Sequence, residues 1–102
     1  MELSHAGLLA AQEMLTYELL SGDVPIGRIT MDDKKMNAVG FEAADKFMAL
    51  LDVAEKDASR AIVIAGNQRA FSAGFDLSIM KPKATEESRR LLLLGTKLVM
   101  RL

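Results

Sequence analysis

The residues whose types and spacing are most suggestive of chemistry lie at 61–80, AIVIAGNQRAFSAGFDLSIM. The first five are apolar and rich in β-branched side chains, which is typical of a strand covered on both faces. Gly66 ends this strand, and Gly74 precedes a short apolar segment that can begin a helical turn. A strand, a glycine-containing loop and a helix start leave backbone N–H groups free to bind an anion or a developing negative charge. We therefore expect a site built from backbone donors at this loop.

Two other kinds of site do not fit the same loop. Ser72 lacks the G-x-S-x-G setting of a serine nucleophile, because Ala70 stands where the first glycine is required and no histidine follows. The segment 66–74 is not a phosphate-binding P-loop, because no G-K-[ST] closes it. Asp76 stands at a predicted helix start, which favours a capping role over a catalytic one.

Composition argues against several classes of protein. The net charge of −1 comes from 13 basic and 14 acidic residues that are well mixed, so we expect neither a nucleic-acid nor a membrane partner. The chain has no cysteine and a single histidine, His5, so we expect no disulfide, no thiolate nucleophile and no metal site. No apolar run approaches the roughly 18 residues of a membrane span. No basic residue precedes the apolar stretch 6–11, so we expect no signal peptide and a cytoplasmic protein.

The elements that must position the loop are predicted by periodicity. Residues 1–15 favour a helical extension, and 16–102 read as one α/β domain. Strands at 17–20 and 24–31, joined by a turn at 21–23, predict a β-hairpin with Pro25 at the start of its second strand, where a missing N–H is tolerated.

A helix at about 41–56 is predicted because apolar residues recur at i, i+3, i+4 and i+7, namely Ala44, Phe47, Met48 and Leu51. This helix lies between the strands 24–31 and 61–65. The three elements therefore predict a βαβ unit with parallel strands.

A second long helix is predicted with Thr85 as its N-cap and with Glu86 and Glu87 in its first turn, where the helix dipole favours negative charge. Four consecutive leucines at 91–94 cover too much of its circumference for a single interface. The strand 61–65 also has only one helix available for its two faces. We therefore expect the first part of a larger domain, or a protein that associates to hide its apolar surface.

The segment 71–77, FSAGFDL, preceded by AIVIAG at 61–66, resembles a signature of the crotonase superfamily, the enoyl-CoA hydratase/isomerase fold. The loop KKMNAV at 34–39 resembles the other early signature of that family. The resemblance covers roughly residues 16–102. It implies an α/β fold of the ββα-spiral type in truncated form, with a first hairpin, a βαβ unit and a C-terminal helix.

What the resemblance implies is an enzyme of fatty-acid metabolism that binds an acyl-CoA thioester and stabilises its enolate with two backbone N–H groups. One of these oxyanion-hole donors would be Phe75, whose side chain is then free to vary and would shield the site from water. Coenzyme A enters only as part of the substrate, with no further cofactor. It would lie along both signature loops, at Met36, Ala38, Ala73, Gly74, Phe75, Asp76 and Leu77. Full-length relatives are expected to form trimers or dimers of trimers.

Departures from the family pattern limit this expectation. Met36 stands where the family often has a basic residue, so a contact to a CoA phosphate is expected either to be lost or to move to Lys34 or Lys35. The family fold is more than twice as long, and its second donor and general acid/base carboxylates come from the portion beyond Leu102. We therefore expect the chain to be inactive alone. The alternative is a non-catalytic small α/β domain that associates with a partner or itself through its leucine-rich helix.

Overall fold

The computed structural model describes residues 14–80 and 85–102. The strands are β1 (Leu15–Leu20), β2 (Ile26–Met31), β3 (Ala38–Val39), β4 (Ala61–Ala65) and β5 (Gly74–Phe75). The helices are α1 (Phe41–Lys56), α2 (Leu77–Met80) and α3 (Glu86–Arg101). The predicted N-terminal extension falls almost entirely on residues 1–13, outside the described residues, and β1 already begins at Leu15.

The main sheet has the strand order β1-β2-β4. β1 runs antiparallel to β2, with Leu15 opposite Met31, so the predicted hairpin is confirmed. β2 and β4 are parallel and are joined through α1, which confirms the predicted βαβ unit. The second strand begins at Ile26, two residues later than predicted, with Pro25 just outside it.

The helix α1 has the predicted bounds, and its inner stripe forms one side of the core. Ala44, Phe47 and Leu51 are buried as predicted, whereas Met48 is only half-buried. The stripe packs with Ile29, which is fully buried in the middle of β2. Each large apolar side chain buried in this way contributes about 1.5–3 kcal/mol to the stability of the fold.

The helix α3 begins at the predicted cap. Ser88 N–H donates to Thr85 Oγ1 at 3.1 Å, and Thr85 N–H donates to Ser88 Oγ at 2.8 Å, which together make a capping box. Leu91 and Leu98 are buried beneath the helix. At its other end Arg101 donates to Met48 O at 3.2 Å, which attaches α3 to α1.

The prediction that β4 is covered on both faces is wrong for this chain. β4 is an edge strand, and Ile62 and Val63 are 38% and 45% exposed. Only Ile64 packs against the core that α1 and the sheet form. On α3, Leu92 and Leu93 are about half exposed. The apolar surfaces of β4 and α3, which the sequence predicts to need a packing partner, are therefore exposed in this chain.

None of the helices in the described part of the chain is long and apolar enough to cross a membrane.

Candidate functional site

The structure brings the two signature loops together through a small second sheet. β3 and β5 pair in parallel, with Ala38 opposite Gly74 and Val39 opposite Phe75. The pairing is extended on one side by Ala73 N–H, which donates to Met36 O at 2.8 Å. Six of the seven predicted binding positions therefore lie at this junction. The seventh, Leu77, is the first residue of α2 and is 68% exposed.

The N–H group of Phe75 points away from this pairing. Asp76 N–H donates to Val39 O at 2.8 Å, so the peptide group that follows Phe75 faces β3. Successive residues of an extended strand turn their N–H groups to opposite edges. The N–H of Phe75 is therefore directed to the edge opposite β3. Within the described residues, no side chain and no loop carbonyl accepts a hydrogen bond from it.

Gly74 turns the chain at this point with a φ of +89°, a conformation that L-residues with a side chain rarely adopt. No atom lies within 4 Å of the place where a β-carbon would stand, so the requirement for glycine comes from the backbone and not from crowding. Gly74 N–H donates to Ser72 Oγ at 3.0 Å, which fixes the Ala73–Gly74 peptide, one peptide group before the one that carries the N–H of Phe75.

The side chain of Phe75 packs against α3. A β-carbon on Gly95 would lie 2.5 Å from the tip of the Phe75 ring, so the ring occupies the space over this glycine. The side chain at position 75 therefore has a structural partner, because the Phe75 ring fills the space over Gly95. The ring anchors the residue whose N–H faces the open edge.

Asp76 caps the short helix α2. Its Oδ1 accepts from Ser78 Oγ at 2.7 Å and from Ser78 N–H at 2.9 Å. These two donors stabilise the ionised carboxylate and hold the pKa of Asp76 below its ordinary value of 3.8. The preference for a capping role agrees with these contacts, and the carboxylate is already engaged.

Lys34 is paired within its own loop. Its Nζ lies 3.1 Å from Asp32 Oδ2. The Lys34 backbone N–H donates to Asp32 Oδ1, and Lys34 Nζ donates to Asp32 Oδ2. Both hydrogen bonds lower the pKa of the Asp32 carboxyl, and the backbone one contributes most. Lys35 is exposed. Of the two lysines considered for a phosphate contact, Lys34 is therefore partly neutralised by Asp32.

Sequence reasoning missed the residue that holds the two loops together. Asn37 is only 4% exposed, and its Nδ2 donates to Met31 O at 2.9 Å, to Phe71 O at 3.1 Å and to Ala70 O at 3.3 Å. A signal for it was present in the sequence, since asparagine is among the residues that best tolerate a left-handed conformation in a loop. The short strands β3 and β5 were missed for a different reason: two-residue strands carry no periodicity.

No group of three His, Cys, Asp or Glu side chains within residues 14–80 and 85–102 is arranged to hold a metal ion.

A sequence profile described as Enoyl-CoA hydratase/isomerase matches residues 23–101. The chain belongs to the enoyl-CoA hydratase/isomerase family. The match includes both loops at the β3–β5 junction, so the family and the fold class expected from the signatures are confirmed. The architecture is the N-terminal part of the crotonase fold in truncated form.

Solved structures of family members superpose closely on this chain. Enoyl-CoA hydratase EchA3 from Mycobacterium ulcerans is 36% identical with a TM-score of 0.76, over 86% of this chain and 37% of that one. The enoyl-CoA isomerase from Mycobacterium tuberculosis is 34% identical with a TM-score of 0.78, over 88% and 37% of the two chains. An enoyl-CoA hydratase/isomerase family protein from Pseudomonas syringae is 30% identical with a TM-score of 0.78, over 89% and 37%.

The chain thus spans little more than a third of the length of these solved family members. A comparison with curated protein sequences finds no match.

Proposed function

We propose that this chain binds an acyl-CoA thioester at the β3–β5 junction and that the N–H of Phe75 donates to the thioester oxygen. The observation that carries the proposal is the orientation of that N–H. Asp76 N–H is used in pairing with Val39, whereas the N–H of Phe75 faces the opposite edge. Membership of the enoyl-CoA hydratase/isomerase family supplies the substrate class.

The chemistry assigned to this donor is stabilisation of an enolate. Negative charge develops on the thioester oxygen as the transition state forms, so a donor fixed beforehand stabilises the transition state more than the ground state. One such donor is typically worth about 2.7–4 kcal/mol. Gly74 and the packing of Phe75 on Gly95 provide the necessary rigidity. The reaction would be hydration or isomerisation of an enoyl-CoA.

The remaining predicted positions would contact the CoA moiety. Met36 and Leu77 are 51% and 68% exposed on either side of the junction and offer apolar surface. Ala38 and Ala73 are also exposed and carry small side chains that allow a ligand to approach the backbone. Both lysines of the loop are exposed, and Lys35 is the one assigned to a phosphate group because Lys34 is paired with Asp32.

We further propose that this chain alone does not complete the reaction. A hydratase or isomerase needs a general acid and base in addition to the oxyanion donors. The carboxylate next to Phe75 in sequence, Asp76, is engaged by Ser78 and is therefore poorly suited to accept a proton from a substrate.

The test is a titration of the 15N-labelled chain with crotonyl-CoA, followed by amide chemical shifts. We expect the amide of Phe75 to shift strongly, together with Ala73 and Leu77. Free coenzyme A, which has no thioester carbonyl, should leave the Phe75 amide nearly unchanged while shifting Met36 and Ala38. A Phe75 amide that does not respond to crotonyl-CoA at concentrations where the ligand binds would overturn the assignment.

A second candidate function is favoured by the outer surface of α3. Val99 and Met100 are 67% and 81% exposed, and Leu92 and Leu93 are about half exposed. This surface suits association with a partner or a second copy of the chain. Concentration-dependent association that Leu93→Asp abolishes, together with silence toward crotonyl-CoA, would favour this non-catalytic function.

A further inference from the structure

Asn37 is a buried polar residue in an uncommon backbone conformation. Its side chain is 4% exposed, and its φ is +56°. Residues with a β-carbon seldom adopt such a φ, although asparagine does so more readily than most. A conformation of this kind persists only where the surrounding contacts hold it. The contacts of Asn37 therefore indicate what this conformation achieves.

The carboxamide of Asn37 has a single orientation that satisfies its neighbours. Its Nδ2 faces three carbonyl oxygens, those of Met31, Ala70 and Phe71, while its Oδ1 accepts from Asp33 N–H at 3.0 Å. Carbonyl oxygens only accept hydrogen bonds, so a flipped amide would place oxygen against oxygen three times. The side chain thus joins the end of β2 to the segment that leads into β5.

The main chain of Asn37 continues the connection. Its carbonyl oxygen accepts from Ser72 Oγ at 2.9 Å, and Ser72 Oγ accepts in turn from Gly74 N–H at 3.0 Å. Because the hydroxyl hydrogen is directed at Asn37, the lone pairs of Ser72 Oγ are left for Gly74. The Ala73–Gly74 peptide is therefore oriented from Asn37 through one hydroxyl, and only Gly74, whose φ is +89°, separates it from the peptide that carries the N–H of Phe75.

We propose that Asn37 is the positioning residue of the backbone-donor site. Its carboxamide holds the 70–72 segment, and its carbonyl, through Ser72, orients the Ala73–Gly74 peptide, from which the turn at Gly74 presents the N–H of Phe75 at the open edge. The identification of the Phe75 N–H as the group that donates to the substrate rests on the proposed function. The positioning itself is a property of the protein without ligand and is tested there first.

The first test is Asn37→Asp, which keeps the shape and the tolerance of positive φ but faces three carbonyls with a carboxylate oxygen. We expect amide exchange at Gly74 to accelerate by about five- to tenfold, as the loss of one hydrogen bond implies. The amides of Asp76 and Ile29 should keep their protection, because their contacts lie in β3–β5 pairing and in the core. Unchanged exchange at Gly74 would overturn the inference.

Two further variants separate positioning from general loosening. Ser72→Ala removes the acceptor of Gly74 directly and gives the exchange rate expected when the connection is broken. Asn67→Asp is the comparison variant, because Asn67 also bridges the loops, donating to Lys35 O at 3.0 Å and accepting from Ala70 N–H at 2.9 Å. Its Nδ2 reaches Asn37 only by a long contact of 3.5 Å to Oδ1, and it does not contact Ser72. An equal acceleration at Gly74 in Asn67→Asp would show that Asn37 has no special role.

If Asn37→Asp does not fold, Asn37→Gly replaces it, because glycine accepts the same φ without introducing a repulsive oxygen. The same acceleration at Gly74 is expected. Retained protection at Gly74 in this variant would equally contradict the proposal.

The affinities for two ligands distinguish a positioning role of Asn37 from a merely structural one. Asn37→Asp should weaken binding of crotonyl-CoA by about tenfold, less than the roughly 10²–10³ lost when a donor is removed outright, and change binding of free coenzyme A by less than about twofold. Equal weakening of both ligands would contradict the positioning of Phe75. If the unaltered chain binds neither ligand, the proposed function fails, and exchange at Gly74 alone decides the role of Asn37.

Discussion

The ring of Phe75 lies over Gly95 so closely that a β-carbon on the glycine would come within 2.5 Å of the ring. Phe75 belongs to β5 and Gly95 to the middle of α3, so the two residues are 20 positions apart in the chain. This contact links the helix to the residue whose N–H faces the open edge of the β3–β5 junction. The absence of a side chain at Gly95 is thus part of how Phe75 is held in place.

Replacement of Gly95 by alanine tests this contact. Overpacking a fitted site typically costs about 1–3 kcal/mol, whereas alanine gains about 1 kcal/mol over glycine within a helix. We expect Gly95→Ala to lower the free energy of unfolding, measured in urea, and to shift the Phe75 amide resonance.

The control for this prediction is the same change in a Phe75→Ala background. With the ring removed, the β-carbon meets no clash, and Gly95→Ala should raise the free energy of unfolding through helix propensity. The two changes would then be strongly non-additive in a double-mutant cycle. Additive effects would show that the ring and the glycine do not contact each other.

Gly74→Ala tests the backbone requirement. Alanine at a φ of +89° costs about 1–3 kcal/mol, even though no atom crowds the new methyl group. We expect a lower free energy of unfolding and weaker binding of crotonyl-CoA, because relief of the strain rotates the peptide that precedes Phe75. Gly22→Ala is the matched control, since Gly22 has neither a positive φ nor a close neighbour and should change neither quantity.

Ser78→Ala tests the cause of the lowered pKa of Asp76. The hydroxyl of Ser78 is the largest contributor, and its backbone N–H remains in the variant. We therefore expect the pKa of Asp76, followed by carboxyl 13C shifts, to rise part of the way toward 3.8. An unchanged pKa would mean that the hydroxyl does not stabilise the carboxylate.

The same shift fixes the pH dependence of stability. Because the folded pKa of Asp76 lies below its unfolded value, the contribution of the ionised cap is fully present above pH 3.8 and is lost as the pH falls through the lower folded pKa. Ser78→Ala should raise the folded pKa of Asp76. The pH range over which this contribution to stability is lost should therefore end at a higher pH than in the unaltered protein. Urea unfolding in steps of pH below 5 measures the effect.

Thr85→Ala tests the start of α3. Loss of the Oγ1 acceptor leaves Ser88 N–H without its capping partner and should lower the free energy of unfolding by about 0.5–2 kcal/mol. Thr96→Ala, on the exposed side of the same helix, removes only a hydroxyl bonded to Leu92 O and serves as the control. Equal losses in the two variants would contradict a specific capping role.

Several elements could be predicted from residues close in sequence. The bounds of α1 and β4 followed from periodicity and from a β-branched run, and Thr85 was recognisable as a cap from the acidic residues after it. The two signature loops marked the family, which the profile match over 23–101 confirms. These features depend on local patterns that a single segment carries in full.

The exposure of β4 was not predictable from its own residues. Its apolar run requires cover on both faces, but cover depends on how many elements reach the strand, and Val63 remains 45% exposed here. Likewise, Phe75 and Gly95 fit each other in the structure, although the sequence around either residue does not indicate the other as its partner.

The sequence by itself determined the helices, the hairpin, the parallel βαβ unit and the family, because backbone propensity and apolar periodicity are local properties. Only the tertiary structure decided that Asn37 ties the two loops together, that β3 pairs with β5, and that the N–H of Phe75 faces the open edge. The reason is that a hydrogen bond between residues more than 30 positions apart depends on the path of the whole chain between them, as in the Asn37–Phe71 contact.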